Sequence, residues 1–301
     1  MDAKPLSTHD RRRGSILVML VAVVLFALMD AGLKTLSERY PPFQVATLRG
    51  AASLPLVLAW SLATVGWKPL LRVRWPLHLL RGAIGITMMA SFVYALKRMP
   101  LSTAYTIFFV APLLITAMSV PFLGERVGPR RWTAIAIGLL GVLVVLRPTG
   151  EGMASLAGLA VLVAAFGYAV SAITVRVLAR SDSNQAMVVW LLALMALGAG
   201  ALAWPGWQPI RADDLWVIAG IGVVGALGQY AITHAFRHGE ASLLAPLEYT
   251  ALVWGVLLDA TVWGVLPDSV TWIGAGIIIA SGLYLIRREG ARVPAEPIAP
   301  P

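Results

Sequence analysis

Apolar runs of about twenty residues, separated by short clusters of Gly, Pro, Lys and Arg, recur along the chain from residue 14 to residue 287. A helix of that length, at about 1.5 Å per residue, spans the roughly 30 Å hydrocarbon core of a bilayer. Strands of a membrane barrel would instead alternate polar and apolar positions over about ten residues, so the runs predict helices. The breaks divide them into ten predicted spans, over 14–37, 43–66, 75–97, 101–123, 130–147, 154–178, 184–204, 214–236, 240–263 and 268–287. The first run follows Arg11, Arg12 and Arg13 as a secretory signal would. It lacks a small-residue cleavage site and nine more runs follow, so it is read as a span.

Composition agrees with an all-α integral membrane fold. With 58% hydrophobic and 13% charged residues, 301 residues carry too little polar surface for a soluble domain. The net charge of +9 does not form a nucleic-acid stripe, because the basic residues sit in short loops between spans. Counting Lys and Arg alone, sixteen fall on the segments that share a side with the N-terminus and six on the other side. By the positive-inside rule both termini are expected in the cytoplasm. The tails, 1–13 and 289–301, are polar or Pro-rich and are expected to be unstructured.

Sliding the chain by 140 residues aligns it with itself. Phe26 falls on Phe166, the loop Gly66, Trp67, Lys68, Pro69 on Gly206, Trp207, Gln208, Pro209, and Gly82 and Gly85 on Gly222 and Gly225. Ser102 matches Ser242, Gly124 and Trp132 match Gly264 and Trp272, and Arg147 matches Arg287. One constant offset through loops rich in Trp, Gly and Pro points to duplication. Each unit, 14–147 and 154–288, then holds five helices. Five is odd, so the second copy crosses the membrane in the opposite sense, which predicts two inverted repeats around a midplane site and alternating access.

The segment Met99-Pro100-Leu101-Ser102-Thr103-Ala104 opens the fourth span, Pro112 lies inside it and Gly124-Glu125-Arg126 closes it. In these residues, and in ten helices set as two halves, the chain resembles the drug/metabolite transporter superfamily, specifically its EamA-type branch. The second half departs from that pattern, with Val265 after Gly264 where the family often has Glu. The resemblance implies a bacterial-type inner-membrane carrier of amino acids, metabolites, cofactors or cationic drugs, often an exporter.

Ionisable groups at bilayer depth cost about 2.5 to 3.5 kcal/mol on insertion scales, so each is a functional candidate. Glu248 and Asp30 lie too deep to reach water and are the candidates for substrate or proton contact. Lys34, one turn from Asp30, is a candidate ion-pair partner for it. Arg49 and Arg81 lie about six residues inside their spans, and their long stems predict snorkelling to the interface. Asp259 and His234 are read as interfacial. Gln229 and Tyr230 are expected to line the pathway, as are Tyr94, Tyr105, Phe108, Phe109, Tyr168, Tyr249 and Trp254. An aromatic cavity of that kind suits a flat or cationic ligand. The remaining tryptophans near span ends read as interface anchors, and the Gly82/Gly85 and Gly222/Gly225/Gly228 series as packing ridges.

The chain has no cysteine, only four histidines, no H-E-x-x-H and no phosphate-cradling G-x-x-x-x-G-K-[ST] loop. No metal, cofactor or catalytic residue is therefore expected, and transport is expected to run without ATP hydrolysis by this chain. The reading is a secondary transporter, by resemblance an exporter of amino acids with aromatic ones leading. Its expected partners are a small-molecule substrate, the lipid bilayer and a coupling proton. The alternatives are a carrier for a vitamin, cofactor or cationic drug, and, from another class, a polytopic enzyme acting on lipid.

Overall fold

The computed structural model describes residues 8–124, 128–146, 156–239 and 244–290. The helices are α1 (Thr8–Ser37), α2 (Pro42–Val65), a short α3 (Lys68–Leu71), α4 (Trp75–Leu96), α5 (Leu101–Phe108), α6 (Val110–Leu123) and α7 (Pro129–Leu146). They continue as α8 (Leu156–Leu178), α9 (Asn184–Ala203), α10 (Leu215–His238), α11 (Ala251–Leu258) and α12 (Ser269–Gly290). Among the described residues, seven helical stretches are long and apolar enough to cross a membrane: Gly14–Ser37, Pro42–Val65, Trp75–Leu96, Leu101–Leu123, Leu156–Leu178, Asn184–Gly206 and Ala212–His238. The chain is thus a multi-pass, all-helical membrane protein. Helix α1 starts at Thr8 and α12 runs to Gly290, so part of each tail expected to be unstructured is helical. Lys4, Glu125, Arg126, Arg147, Glu240, Ser242 and Arg292 lie outside the described residues.

Two predicted spans are interrupted. The run 101–123 divides at Phe109, whose ψ of −4° leaves the α-helix between α5 and α6. Pro112 explains the position: it has no amide hydrogen for the carbonyl four residues back, and its ring crowds that carbonyl. The run 240–263 is not one α-helix. Pro246 opens a 3-10 turn over Ala245–Thr250, α11 follows, and a π-type turn covers Asp259–Trp263. Gly124 and Gly264 then stop α6 and the π-type turn with φ of +71° and +65°, which favours glycine because no Cβ clashes there.

The helices pair as α1 with α10, α4 with α8, α2 with α9 and α10, α9 with α4, and α7 with α12. Lipid is as apolar as leucine, so these pairs depend on close van der Waals fit rather than on hydrophobic exclusion. Gly222 shows how close they come: a Cβ there would lie 2.8 Å from the Ala52 carbonyl oxygen on α2. Backbone cannot yield as a side-chain tip can, so Gly222→Ala is expected to destabilise by about 1 to 3 kcal/mol. Thermal unfolding in detergent checks this against Gly220→Ala, whose Cβ meets nothing within 4 Å. Equal midpoints for the two variants would contradict it. Outside the bundle, Trp60, Trp67, Trp75, Trp204, Trp207 and Trp216 are exposed near helix ends, as interface residues are.

Polar ties join helix ends on both sides of the bundle. After α8, Asp182 accepts hydrogen bonds from His78 (2.8 Å), the Arg74 amide (3.1 Å) and Ser181 (2.5 Å), and Arg237 donates to its carbonyl. At the opposite end Asp214, just before α10, accepts from Tyr40 (2.6 Å) and pairs with Arg39, while Gln44 and the Gln208 backbone exchange two bonds of 2.6 and 2.8 Å. Burial pushes the Asp182 carboxyl up, but its hydrogen-bond donors outweigh burial and hold it below the ordinary aspartate value of 3.8. A carboxyl lower in the folded than in the unfolded chain stabilises the fold above the unfolded value and loses that stabilisation as pH falls through the folded one. The thermal midpoint should therefore drop below about pH 4, and Asp182→Asn should flatten that part of the profile. A variant with the wild-type acid profile would show that the tie does not matter to stability.

Candidate functional site

A cavity of about 140 Å³ lies between α1, α2, α4, α5, α8, α10 and the Ala245–Thr250 turn with α11. One wall is aromatic. The Phe108 ring stands 5.4 Å from Tyr168 and 5.6 Å from Phe92, and Phe92 lies nearly parallel to Tyr105 at 6.4 Å. Phe26, Phe109 and Phe236 extend this lining. The break at Phe109 sits in the cavity wall, where a straight helix would aim these rings along a single face.

Two carboxylate–phenol clasps face the cavity. Tyr105 on α5 donates to Asp30 on α1 at 2.8 Å, and Tyr168 on α8 donates to Glu248 in the 3-10 turn at 3.0 Å. At the 140-residue offset α1 corresponds to α8, and α5 to the segment that carries Glu248. Acid and phenol have exchanged helices between the two clasps. Asp30 is 8% exposed and Glu248 7%, so neither reaches bulk water. A carboxylate offers about four acceptor positions and one phenol fills only one, leaving both groups able to receive a ligand's N–H or O–H.

Two arginines complete the lining. Arg49 on α2 donates to Gln229 Oε1 at 3.1 Å and reaches the sulfurs of Met29 (3.1 Å) and Met195 (3.3 Å). Gln229 in turn donates to Thr233 at 3.3 Å. Arg81 on α4 donates to the Met187 carbonyl at 2.6 Å and to Ser171 Oγ at 3.3 Å. Both arginines are only 2% exposed and line the cavity, so neither snorkels as expected. Both arginines lie on the faces of α2 and α4 that pack against α8, α9 and α10, while other positions on those helices, such as Leu56 and Leu79, are exposed.

The cavity extends to Val175 and Phe236, each within a turn of the α8 and α10 ends beside Asp182. The other end is latched. Asp259 accepts from the Leu101 amide (3.0 Å) and the Ser102 amide (2.7 Å), the first two residues of α5, and pairs with Lys34 at 3.6 Å. A carboxylate at a helix N-terminus meets both unpaired amides and the positive end of the helix dipole. Lys34 also donates to the Met99 carbonyl at 3.1 Å and lies 4.7 Å from the Trp263 ring centre. Lys34 therefore serves Asp259 rather than Asp30, and Asp259 is fully buried at this end of the bundle. At the matching position of the other half, Ser119 donates to the Thr116 carbonyl at 2.8 Å, and residues 241 and 242, which match Leu101 and Ser102, lie outside the described residues.

Of the residues expected at the pathway, Asp30, Tyr105, Phe108, Phe109, Tyr168, Gln229 and Glu248 line the cavity. Tyr94, Tyr230, Tyr249 and Trp254 do not. Tyr230 packs edge-on against Trp60 at 4.1 Å and stacks on His234, because a neighbour of Gln229 is turned about 100° around the helix. Tyr249 lies behind the wall against Phe109 at 5.1 Å. Arg98 covers the Tyr94 ring at 3.6 Å, and Trp254 is half-buried on α11. Arg49, Arg81 and Ser171 are the site residues that sequence reasoning missed. The available signal was charge at depth, which snorkelling had explained away.

A multi-pass helical bundle that holds charged and aromatic groups around an internal cavity has the parts of a membrane transporter. The chain belongs to the EamA-like transporter family, whose model matches residues 13–147 and again 155–287. It is 31% identical to a riboflavin transporter of Vibrio cholerae over 93% of this chain and 95% of that one. It is 27% identical to a pseudopaline exporter of Pseudomonas aeruginosa (82% and 88% covered) and 28% identical to an S-adenosylmethionine uptake transporter of Rickettsia conorii (90% and 91%). A crystal structure of a protein with 25% identity superimposes with a TM-score of 0.70, covering 92% of this chain and 99% of that one.

Proposed function

We propose that the protein is a secondary carrier for a small, flat, polar metabolite, built from two inverted five-helix repeats, 14–147 and 154–288, that rock around the central cavity. The carrying observation is that two carboxylate–phenol clasps, one from each half, face the same aromatic-walled space. The helix pairing supports the inverted repeat. Exchanging the halves turns the α1–α10 pair into the α8–α4 pair and returns α2–α9 and α7–α12 to themselves. Gly124 and Gly264, 140 residues apart, both end helical segments in the left-handed conformation. The distribution of Lys and Arg supports cytoplasmic termini in a bacterial inner membrane, with the cavity directed to the cytoplasm and the Asp259 latch on the outer side.

Vitamin- or cofactor-like compounds are the leading substrate class. Riboflavin and S-adenosylmethionine, the named substrates of two relatives, each carry a fused nitrogen ring that suits the wall formed by Phe108, Tyr168 and Phe92. Aromatic amino acids are the second reading, favoured by Asp30 and Glu248 as acceptors for an ammonium group beside that wall. Glu248 and Asp30 are also the groups to carry a coupling proton. Proteoliposomes loaded with unlabelled riboflavin, S-adenosylmethionine or tryptophan test this by counterflow of the labelled compound. Exchange of at least one supports the carrier and selects the class, and exchange of none removes this substrate assignment.

A further inference from the structure

We propose that Arg81 and Ser171 form an oxyanion subsite in the cavity, which takes a carboxylate or phosphate group of the transported compound. The inference rests on the carrier reading and adds the chemical group that the substrate must bring. Arg81 is almost wholly buried at a depth where an arginine costs about 2.5 to 3.5 kcal/mol or more, so something must compensate its charge. Among the described residues no carboxylate lies within 4 Å of it. Its partners are a backbone carbonyl and a hydroxyl, both neutral. They hold the guanidinium in orientation and leave its charge unanswered.

The nearby acids are engaged elsewhere. Asp182 serves His78 and the Arg74 amide, Glu248 holds Tyr168, and Asp30 holds Tyr105. The backbone that carries Arg81 lies close against α9, where a Cβ on the next residue, Gly82, would be 2.8 Å from Leu194, and the Met187 carbonyl and Ser171 hold the guanidinium itself. A planar guanidinium with five donors, held on a rigid helix and opening on a cavity, matches the fork of a carboxylate or phosphate. Ser171 supplies a hydroxyl donor at the same point. An amphipathic compound is then read at both ends. Its anionic group meets Arg81 and Ser171, its ring lies on the Phe108–Tyr168 wall, and its donors meet Asp30 or Glu248.

The test uses two ligand pairs that differ only in the anion: flavin mononucleotide against riboflavin, for phosphate, and tryptophan against tryptophanamide, for carboxylate. Binding to the purified full chain in detergent is read by fluorescence quenching and thermal shift. The expected result is that Arg81→Gln weakens the member that carries the anionic group in at least one pair tenfold or more and changes the partner that lacks it less than twofold. The pair that responds says which oxyanion the subsite accepts. Arg81→Lys, which keeps the charge and loses the fork, should fall between. If Arg81→Gln does not fold, Ser171→Asp places a carboxylate beside the guanidinium and should abolish the preference for the anionic member while raising the thermal midpoint. Equal losses for both members, an unchanged preference in Ser171→Asp, or no binding of either anionic compound to the wild type would overturn the subsite. Counterflow of riboflavin by the wild type in liposomes would leave the carrier reading standing in each of those cases.

Discussion

Replacing Asp259 by asparagine is expected to lower the thermal midpoint by several degrees and to open the cavity at the Lys34 end. The native carboxylate answers two amides of α5 and the Lys34 ammonium at once, without contact with solvent. Asparagine keeps an acceptor for one amide and loses the charge, leaving a half-buried ammonium facing a neutral group. Removing one partner of a buried pair costs about 3 to 5 kcal/mol, and the lower figure applies because Lys34 retains the Met99 carbonyl and the Trp263 ring. About 3 kcal/mol shifts a two-state equilibrium more than a hundredfold at about 1.4 kcal/mol per tenfold. The chain has no cysteine, so Ala251→Cys in the cavity wall is a sole reporter. A membrane-impermeant maleimide added from the Lys34 side should label it at least tenfold faster in the Asp259→Asn background. Unchanged labelling would show that the cavity is closed by something other than this latch.

The second large effect concerns energy coupling. Glu248→Gln is expected to abolish the dependence of transport on a pH gradient, cutting gradient-driven accumulation more than tenfold, while counterflow stays within about threefold of wild type. Glutamine preserves the shape and the oxygen that receives the Tyr168 hydroxyl, so the wall of the cavity survives and only the titratable proton is lost. Paired measurements of accumulation and counterflow in the same liposomes separate the outcomes. Retained gradient dependence would free Glu248 of the proton role, and loss of both activities would make it a binding group. Asp30→Asn, which preserves the Tyr105 bond in the same way, tells whether the two clasps share the task.

Seven of the spans were legible because hydropathy and helix length report directly on bilayer crossing, and their bounds fall within a few residues of the expected ones. The exceptions have local causes. Pro112 acts on the carbonyl four residues back, so the break appears at Phe109 rather than at the proline itself. The run 240–263 reads as one continuous span, and Glu248 sits instead in a 3-10 turn opened by Pro246. Side-chain facing was harder to read. Depth alone does not say whether a residue meets lipid, a neighbouring helix or the cavity, which is why Tyr230 and Arg81 were each assigned to the wrong surroundings. Partners distant in sequence, such as Asp259 with Leu101 and Ser102, leave no periodic trace at all.

The closure at Asp259 carries a kinetic consequence for the carrier proposed above. Two halves of like architecture would, left alone, divide their time evenly between the two sides of the membrane. On that reading, a charged catch at the Lys34 end weights the balance toward the form that is shut there. On the same reading, the binding energy of a passenger would have to offset the loss of that catch before the Lys34 end opens.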